Sequence, residues 1–193
     1  MNISQQRFTQ ALKEVLEYSK NVLHIEVIDT SDLDPYFKGD LDGKRIWIAS
    51  ALEDEEELFN VIHLLGHSIQ WNLSKELRAL GSVLHENPDD QLLRKLQEYE
   101  WEANCYGLKI LHEIGIRDLD QWLFEKYRLD MFYLTHYYKT GDKLKAITDV
   151  SLAYQFTWPL VEKNIPEFIP YANPETRRGI VIDFTNLTAK GLS

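Results

Sequence analysis

His63 and His67 stand four residues apart in the run Phe59-Asn60-Val61-Ile62-His63-Leu64-Leu65-Gly66-His67. On a helix this spacing places both imidazoles on one face, one turn apart. Two imidazoles so placed can grip one metal ion. The pair alone is a weak signal, because the chain has six histidines and two can fall at this spacing by chance. The competing reading is two surface or cleft histidines on one helix, so the motif needs structural context.

Composition narrows that context. The 193 residues suit one domain, or one domain with an elaborated tail. A hydrophobic fraction of 44% with five tryptophans is ample for a packed core. The net charge of -10 argues against a general nucleic-acid binder and against docking on anionic lipid, both of which need a basic footprint. No apolar run approaches the roughly 20 residues of a membrane span. The N-terminal residues lack the apolar core of a signal peptide. Cys105 is the single cysteine, so no internal disulfide can form, and a reducing cytoplasm is the expected location.

Residues from about 3 to 23 read as an amphipathic helix with Phe8, Leu12, Val15, Leu16 and Leu23 at helical spacing and Ser4 as N-cap. His24 to Asp29 reads as a strand, and Asp32 to Tyr36 as a turn around Pro35. Asp42-Gly43 is a hairpin signal between Phe37–Asp40 and Arg45–Ala49. The His-bearing helix is expected from near Glu53 to about Asn72, with Glu53 to Glu57 crowding the end where the dipole favours anions. A second long helix is expected over about Pro88 to Ile114. A third, aromatic one is expected over about Leu119 to Lys139, with Gly141 as its stop. A shorter helical stretch is expected over Lys143 to Tyr154, a late strand over Gly179 to Phe184, and an exposed tail from Thr185. Between them, Pro159, Pro166, Pro170 and Pro174 break regular structure. The expected class is α+β, mostly helical, with a small antiparallel sheet before the His-bearing helix.

A site of two histidines needs a third ligand, usually a carboxylate or another histidine. The second long helix offers Glu98, Glu100 and Glu102. Leu93, Leu96, Ala103, Gly107, Ile110 and Ile114 form an apolar stripe at three-and-four spacing, and Glu100 falls on it. A carboxylate on a buried stripe is costly unless paired, hydrogen-bonded or bound to metal, so Glu100 is the expected third ligand. Gly107 would let the two helices approach closely. Glu98 and Glu102 are expected to be solvated charges. Asn104, one turn beyond Glu100, is either a partner that hydrogen-bonds a ligand histidine or an ordinary polar contact. Cys105 is expected as a small buried apolar residue. His24, His85, His112 and His136 lack partner spacing; of these only His136, among the tyrosines of the aromatic helix, is a candidate to line a cleft.

The order of elements resembles the ImmA/IrrE family of zincin-like metallopeptidases, over about residues 3 to 114. The family's His-Glu-Leu-Gly-His motif is similar to His63-Leu64-Leu65-Gly66-His67. Its later motif is similar to Glu100-Trp101-Glu102-Ala103-Asn104-Cys105-Tyr106-Gly107. The hairpin through Gly39 and Ile46 to Ile48 is similar to the family's strands before the active helix. The resemblance does not account for the aromatic helix or the Pro-rich tail. The expected organisation is a zincin-like metal-binding domain over 1–157 that includes the aromatic helix, with a Pro-rich extension, 158–193, packed on it or trailing from it. The resemblance implies that His63, His67 and Glu100 hold zinc, or another divalent transition metal. The departure is Leu64, which stands where the family carries the glutamate that moves the proton. Loss of a general base costs about 10² to 10⁴ in rate.

The first reading is therefore a metal-binding pseudo-peptidase, with a protein or peptide ligand as a possible partner. The second is an active metallohydrolase with a relocated base: Glu98, Glu102 or a tyrosine of the 132–138 cluster. The third is a non-metal interaction module built on the Glu53–Glu57 acidic stretch and the aromatic helix.

Overall fold

Helix α2, Asp54–Leu73, carries both histidines, and the other elements are arranged around it. The structure is a computed structural model and describes residues 3–33, 38–83, 85, 87–141 and 156–173. Every residue of α2 from Leu58 to Trp71 is buried. A helix buried all round needs partners on several sides. These are α1 (Gln5–Tyr18), a small sheet, the short α3 (Lys75–Gly81) and the long α4 (Asp90–Glu113). Helix α5, Asp120–Thr140, packs on α4 and ends at Gly141, whose φ of 69° is the left-handed conformation of a C-cap.

Local signals set most of the boundaries. Ser4 caps α1 by accepting the Arg7 backbone N–H at 3.3 Å, and Asp89 caps α4 by accepting that of Leu92 at 2.8 Å. The first helix is α-helical only to Tyr18; Ser19–Leu23 form a π-helical turn that stops at His24, with φ 55°. Helix α3 was not anticipated. Ser74 caps it by accepting the Leu77 N–H at 3.2 Å, and Arg78 donates back to the Trp71 carbonyl oxygen.

The sheet has the order β1-β3-β2, from β1 (Glu26–Thr30), β2 (Gly39–Leu41) and β3 (Arg45–Ala49). The expected hairpin is present: β2 and β3 are antiparallel, with Leu41 opposite Ile46 and Gly39 opposite Ile48. Asp42 closes its turn by accepting the N–H groups of Lys44 and Arg45 at 3.0 and 2.7 Å. The expectation of a wholly antiparallel sheet is corrected, because β1 pairs with β3 in parallel. The chain leaves β1, crosses to the far side of β3 as β2, and returns through the hairpin, so β1 and β3 run the same way. Ile46 and Ile48 are buried in the same apolar core as Leu58, Val61 and Leu65 of α2.

Residues 156–173 form neither helix nor strand and run over the helical body. Trp101 donates to the Pro159 carbonyl at 3.0 Å, Tyr171 N–H to the Asn72 side chain at 2.8 Å, and Asn173 N–H to the Asp42 carbonyl at 2.9 Å. The expected helix at Lys143–Tyr154, the strand at Gly179–Phe184, the tail from Thr185 and most of the turn around Pro35 lie outside the described residues. Among the described residues, no helix is long and apolar enough to cross a membrane.

Candidate metal centre

Helices α2 and α4 bring the three expected ligand residues together. His67 Nε2 lies 3.0 Å from His63 Nε2 and 3.1 Å from Glu100 Oε2, and His63 Nε2 lies 3.3 Å from the same oxygen. All three side chains are buried, none more than 7% exposed. Among the described residues this is the one group of three or more such side chains that could hold a metal ion. Gly107 makes room as anticipated, since a Cβ there would collide with Ile62.

The donor atoms suit a small tetrahedral cation. Bonds of about 2.0–2.1 Å at tetrahedral angles separate ligand atoms by roughly 3.3 Å, close to the spacings here. The hydrogen-bonding of His67 sharpens the case. Gln70 is buried, and its amide nitrogen donates to the Tyr99 carbonyl and to Glu102 Oε2, each at 2.8 Å. Both partners are acceptors, so the orientation of the amide is determined. Its oxygen therefore faces His67 Nδ1 at 2.8 Å and accepts the proton there. In the neutral imidazole, Nε2 is then a bare lone pair aimed at the Glu100 carboxylate. Two electron-rich atoms at that distance need a proton or a cation between them.

Glu100 is held from its other side by Tyr138 of α5, whose hydroxyl donates to Oε1 at 3.1 Å. In the metal-free chain a proton fills the place between His67 and Glu100: burial alone would raise the Glu100 pKa, but the charge of a protonated His67 and hydrogen bonds from both histidines outweigh it and hold the carboxyl below its usual range. Burial drives the Tyr138 phenol well above its ordinary value, with Glu100 adding to the effect, so it remains a donor. Tyr99 stacks on His67 with ring centroids 4.4 Å apart. Asn104 reaches His63: its amide nitrogen stands 3.1 Å from Nδ1 and donates to the Glu100 backbone oxygen at 2.9 Å.

Two participants were not anticipated, Gln70 and Asp130. Gln70 had a signal, since it follows His67 by three residues on the same helical face. Asp130 also had one, since it falls on the stripe Leu123, Tyr127, Leu134 and Tyr138 at three-and-four spacing, as Glu100 does on α4. It is buried, with Oδ2 4.0 Å from His63 Nδ1. Burial pushes its carboxyl up to about 7, with His63 opposing the rise and Glu100 adding to it.

The remaining candidates fall elsewhere. Leu64 is 1% exposed and faces β2, where a Cβ on Gly39 would stand 2.5 Å from its Cδ1. It offers nothing that can accept a proton. Glu98 is exposed and pairs with Arg94 at 3.0 Å. Glu102 is not the solvated charge expected, because Gln70 and Lys163, from the segment lying over α4, both bond to it. From α5, Asp130 and Tyr138 reach the cluster; His136, two residues before Tyr138, lies on roughly the opposite side of that helix. His112 lies 2.6 Å from Glu162 and 2.8 Å from Asp120, and His85 donates to the Leu80 carbonyl at 2.9 Å. Cys105 is buried as expected, and desolvation pushes its thiol up to about 11.

The cluster opens on a cavity of only about 30 Å³, lined by Leu41, Leu64, His67, Tyr99, Glu100 and Tyr138 among others. That is room for a water-sized occupant. A much larger open groove, about 780 Å³, lies between α3, α4 and the overlying segment, with Leu77, Leu80, Trp101 and Trp158 in its walls. It meets the small cavity through the Tyr99 and Leu80 side chains, and neither histidine lines it. No family model, curated protein or solved structure significantly matches the chain.

Proposed function

We propose that the chain is a metal-binding protein of zincin type in which His63, His67 and Glu100 hold a divalent cation, zinc by the chemistry of the donor set, and in which peptide hydrolysis has been lost. The observation that carries this is the convergence of His63 Nε2, His67 Nε2 and Glu100 Oε2 within 3.3 Å of one another, with Nδ1 of His67 committed to Gln70 so that Nε2 is the atom left for a cation. Two imidazoles and one carboxylate with a further open position are a zinc set, although cobalt, nickel or copper also bind such donors. Bound there, zinc would supply the positive charge that a buried carboxylate requires. The similarity of His63–His67 and Glu100–Gly107 to the ImmA/IrrE motifs supports the same assignment.

Loss of hydrolysis follows from two features. Leu64 replaces the proton-carrying glutamate. The cavity of about 30 Å³ cannot admit a peptide. Among the described residues the candidates for a relocated base are otherwise engaged: Glu98 pairs with Arg94, Glu102 is held by Gln70 and Lys163, and Tyr138 of the 132–138 cluster, its phenol pushed well above its ordinary value, donates to Glu100. Metal analysis of protein purified without chelator tests the reading. Stoichiometric zinc is expected in the wild type and is lost in His67→Ala. A metal-free wild type that stays metal-free when dialysed against zinc would favour an interaction module with a degenerate site.

A further inference from the structure

Oδ2 of Asp130 is buried and receives no hydrogen bond from any described group. Such an orphaned oxygen is rare and calls for a reason. It lies on the side of His63 away from the cluster, 4.0 Å from Nδ1. The ring of His63 stands between it and the cation position at Nε2, so Asp130 is no fourth ligand.

The two nitrogens of His63 make different demands. When a cation takes the Nε2 lone pair, the neutral ring carries its one proton on Nδ1, and that proton needs an acceptor. Asn104 presents its amide nitrogen there, which is a donor. Turning that amide over would set its oxygen against the Glu100 backbone oxygen that the nitrogen now contacts at 2.9 Å. We propose that Asp130 is the acceptor: an outer carboxylate on α5 that holds His63 as its Nδ1–H form, with Nε2 aimed at the metal. The proton balance closes without a change in ring charge, because the proton leaves Nε2, where it faces Glu100, and one is carried on Nδ1. Asp130 is thus a positioning residue, drawn in by about one ångström to normal hydrogen-bond length. The site then pairs two buried carboxylates, one touching the cation and one acting through His63, with the charge of one divalent ion.

The inference rests on the metal-binding reading, and the test separates the two. Zinc affinity is measured by competition with a chromophoric chelator for wild type, Asp130→Asn and Asn104→Ala. Long-range ¹H–¹⁵N spectra of the zinc-loaded wild type report which nitrogen of His63 is protonated. Asp130→Asn is isosteric and is expected to weaken zinc binding by about 10- to 100-fold, the usual effect of removing an outer partner. The spectra are expected to show protonated Nδ1, with its proton resonance displaced in Asp130→Asn. Zinc binding by Asp130→Asn within about twofold of wild type would overturn the proposal. So would a zinc-loaded wild type with no proton on His63 Nδ1, or an effect carried wholly by Asn104→Ala. A wild type that binds no zinc overturns the metal reading and this inference together.

Discussion

The backbone carbonyl of Ala103 occupies the place that a side chain on Gly66 would need. Helices α2 and α4 therefore meet backbone to backbone one residue before His67 and three after Glu100. That closeness lets an imidazole and a carboxylate from different helices come within 3.1 Å. Gly66→Ala is expected to force the helices apart. Helix propensity alone favours alanine by about 1 kcal/mol, so a purely local effect would stabilise. Overpacking costs about 1–3 kcal/mol, and here the obstacle is backbone that cannot rotate away. Urea denaturation should show a net loss of stability, accompanied by weaker zinc binding; a gain in stability would contradict the close crossing.

Gln70 is expected to act on the metal through His67 alone. Gln70→Leu removes the acceptor at His67 Nδ1 while keeping the buried volume nearly constant. The ring is then free to carry its proton on Nε2, against the cation. Zinc affinity should fall about 10- to 100-fold, as for other outer partners of ligand histidines. The chelator competition assay measures it directly, and an unchanged affinity would mean that the tautomer is set by something else.

How much of this was readable in the chain depended on whether the signal was periodic. Glu100 stands out because it interrupts an apolar stripe, and the structure buries it with Leu96 on one side and Ala103 on the other. Asp42-Gly43 marked the hairpin because the turn chemistry is local. The parallel pairing of β1 with β3 was not readable, since it depends on where the chain crosses the sheet and not on any strand's own pattern. Glu102 looked like a solvent charge because its cover comes from Lys163, about sixty residues on. Asp130 was readable by the same logic as Glu100, since it falls between Tyr127 and Leu134 on a buried stripe of α5; what its own helix does not show is that His63, on α2, stands beside it. Helix α3 was missed although Ser74 and Glu76 mark its start, because seven residues are too few for a period to show.

Leu64→Glu separates an intact catalytic cradle from a packed one. The leucine lies against β2 and lines the same small cavity as His67 and Glu100. A glutamate there adds a further buried carboxylate to Glu100 and Asp130. In chelator the variant should lose about 3 kcal/mol of stability, the scale of an uncompensated buried charge. Saturating zinc should restore part of that loss, because the cation offsets the added charge. Denaturation curves with EDTA and with zinc measure both arms, and equal losses in the two conditions would place the new carboxylate away from the metal. Peptidase activity is not expected, since the cavity stays too small for a substrate.

The metal-free protein should weaken as pH rises toward neutrality, and Asp130 should be the cause. Burial pushes its carboxyl up to about 7 in the folded chain, against about 3.9 for an unperturbed aspartate. The folded state therefore holds a proton that the unfolded state releases between those values. Its contribution is complete below about pH 4 and is lost as pH climbs through about 7. Glu100 acts in the opposite sense: its carboxyl is held low, so its contribution is present above about pH 4.3 and fades as pH falls. The two together set an optimum near pH 4 for their part of the stability, followed by a decline of at most about 1.4 kcal/mol per pH unit up to about pH 7. Thermal unfolding in EDTA at about pH 5 and 7.5 should show a lower Tm at the higher pH, with a smaller difference in Asp130→Asn. Zinc should reverse the trend, because a dication beside Glu100 and His63 favours the ionised carboxylate. A pH slope identical in wild type and Asp130→Asn would assign the effect to another group.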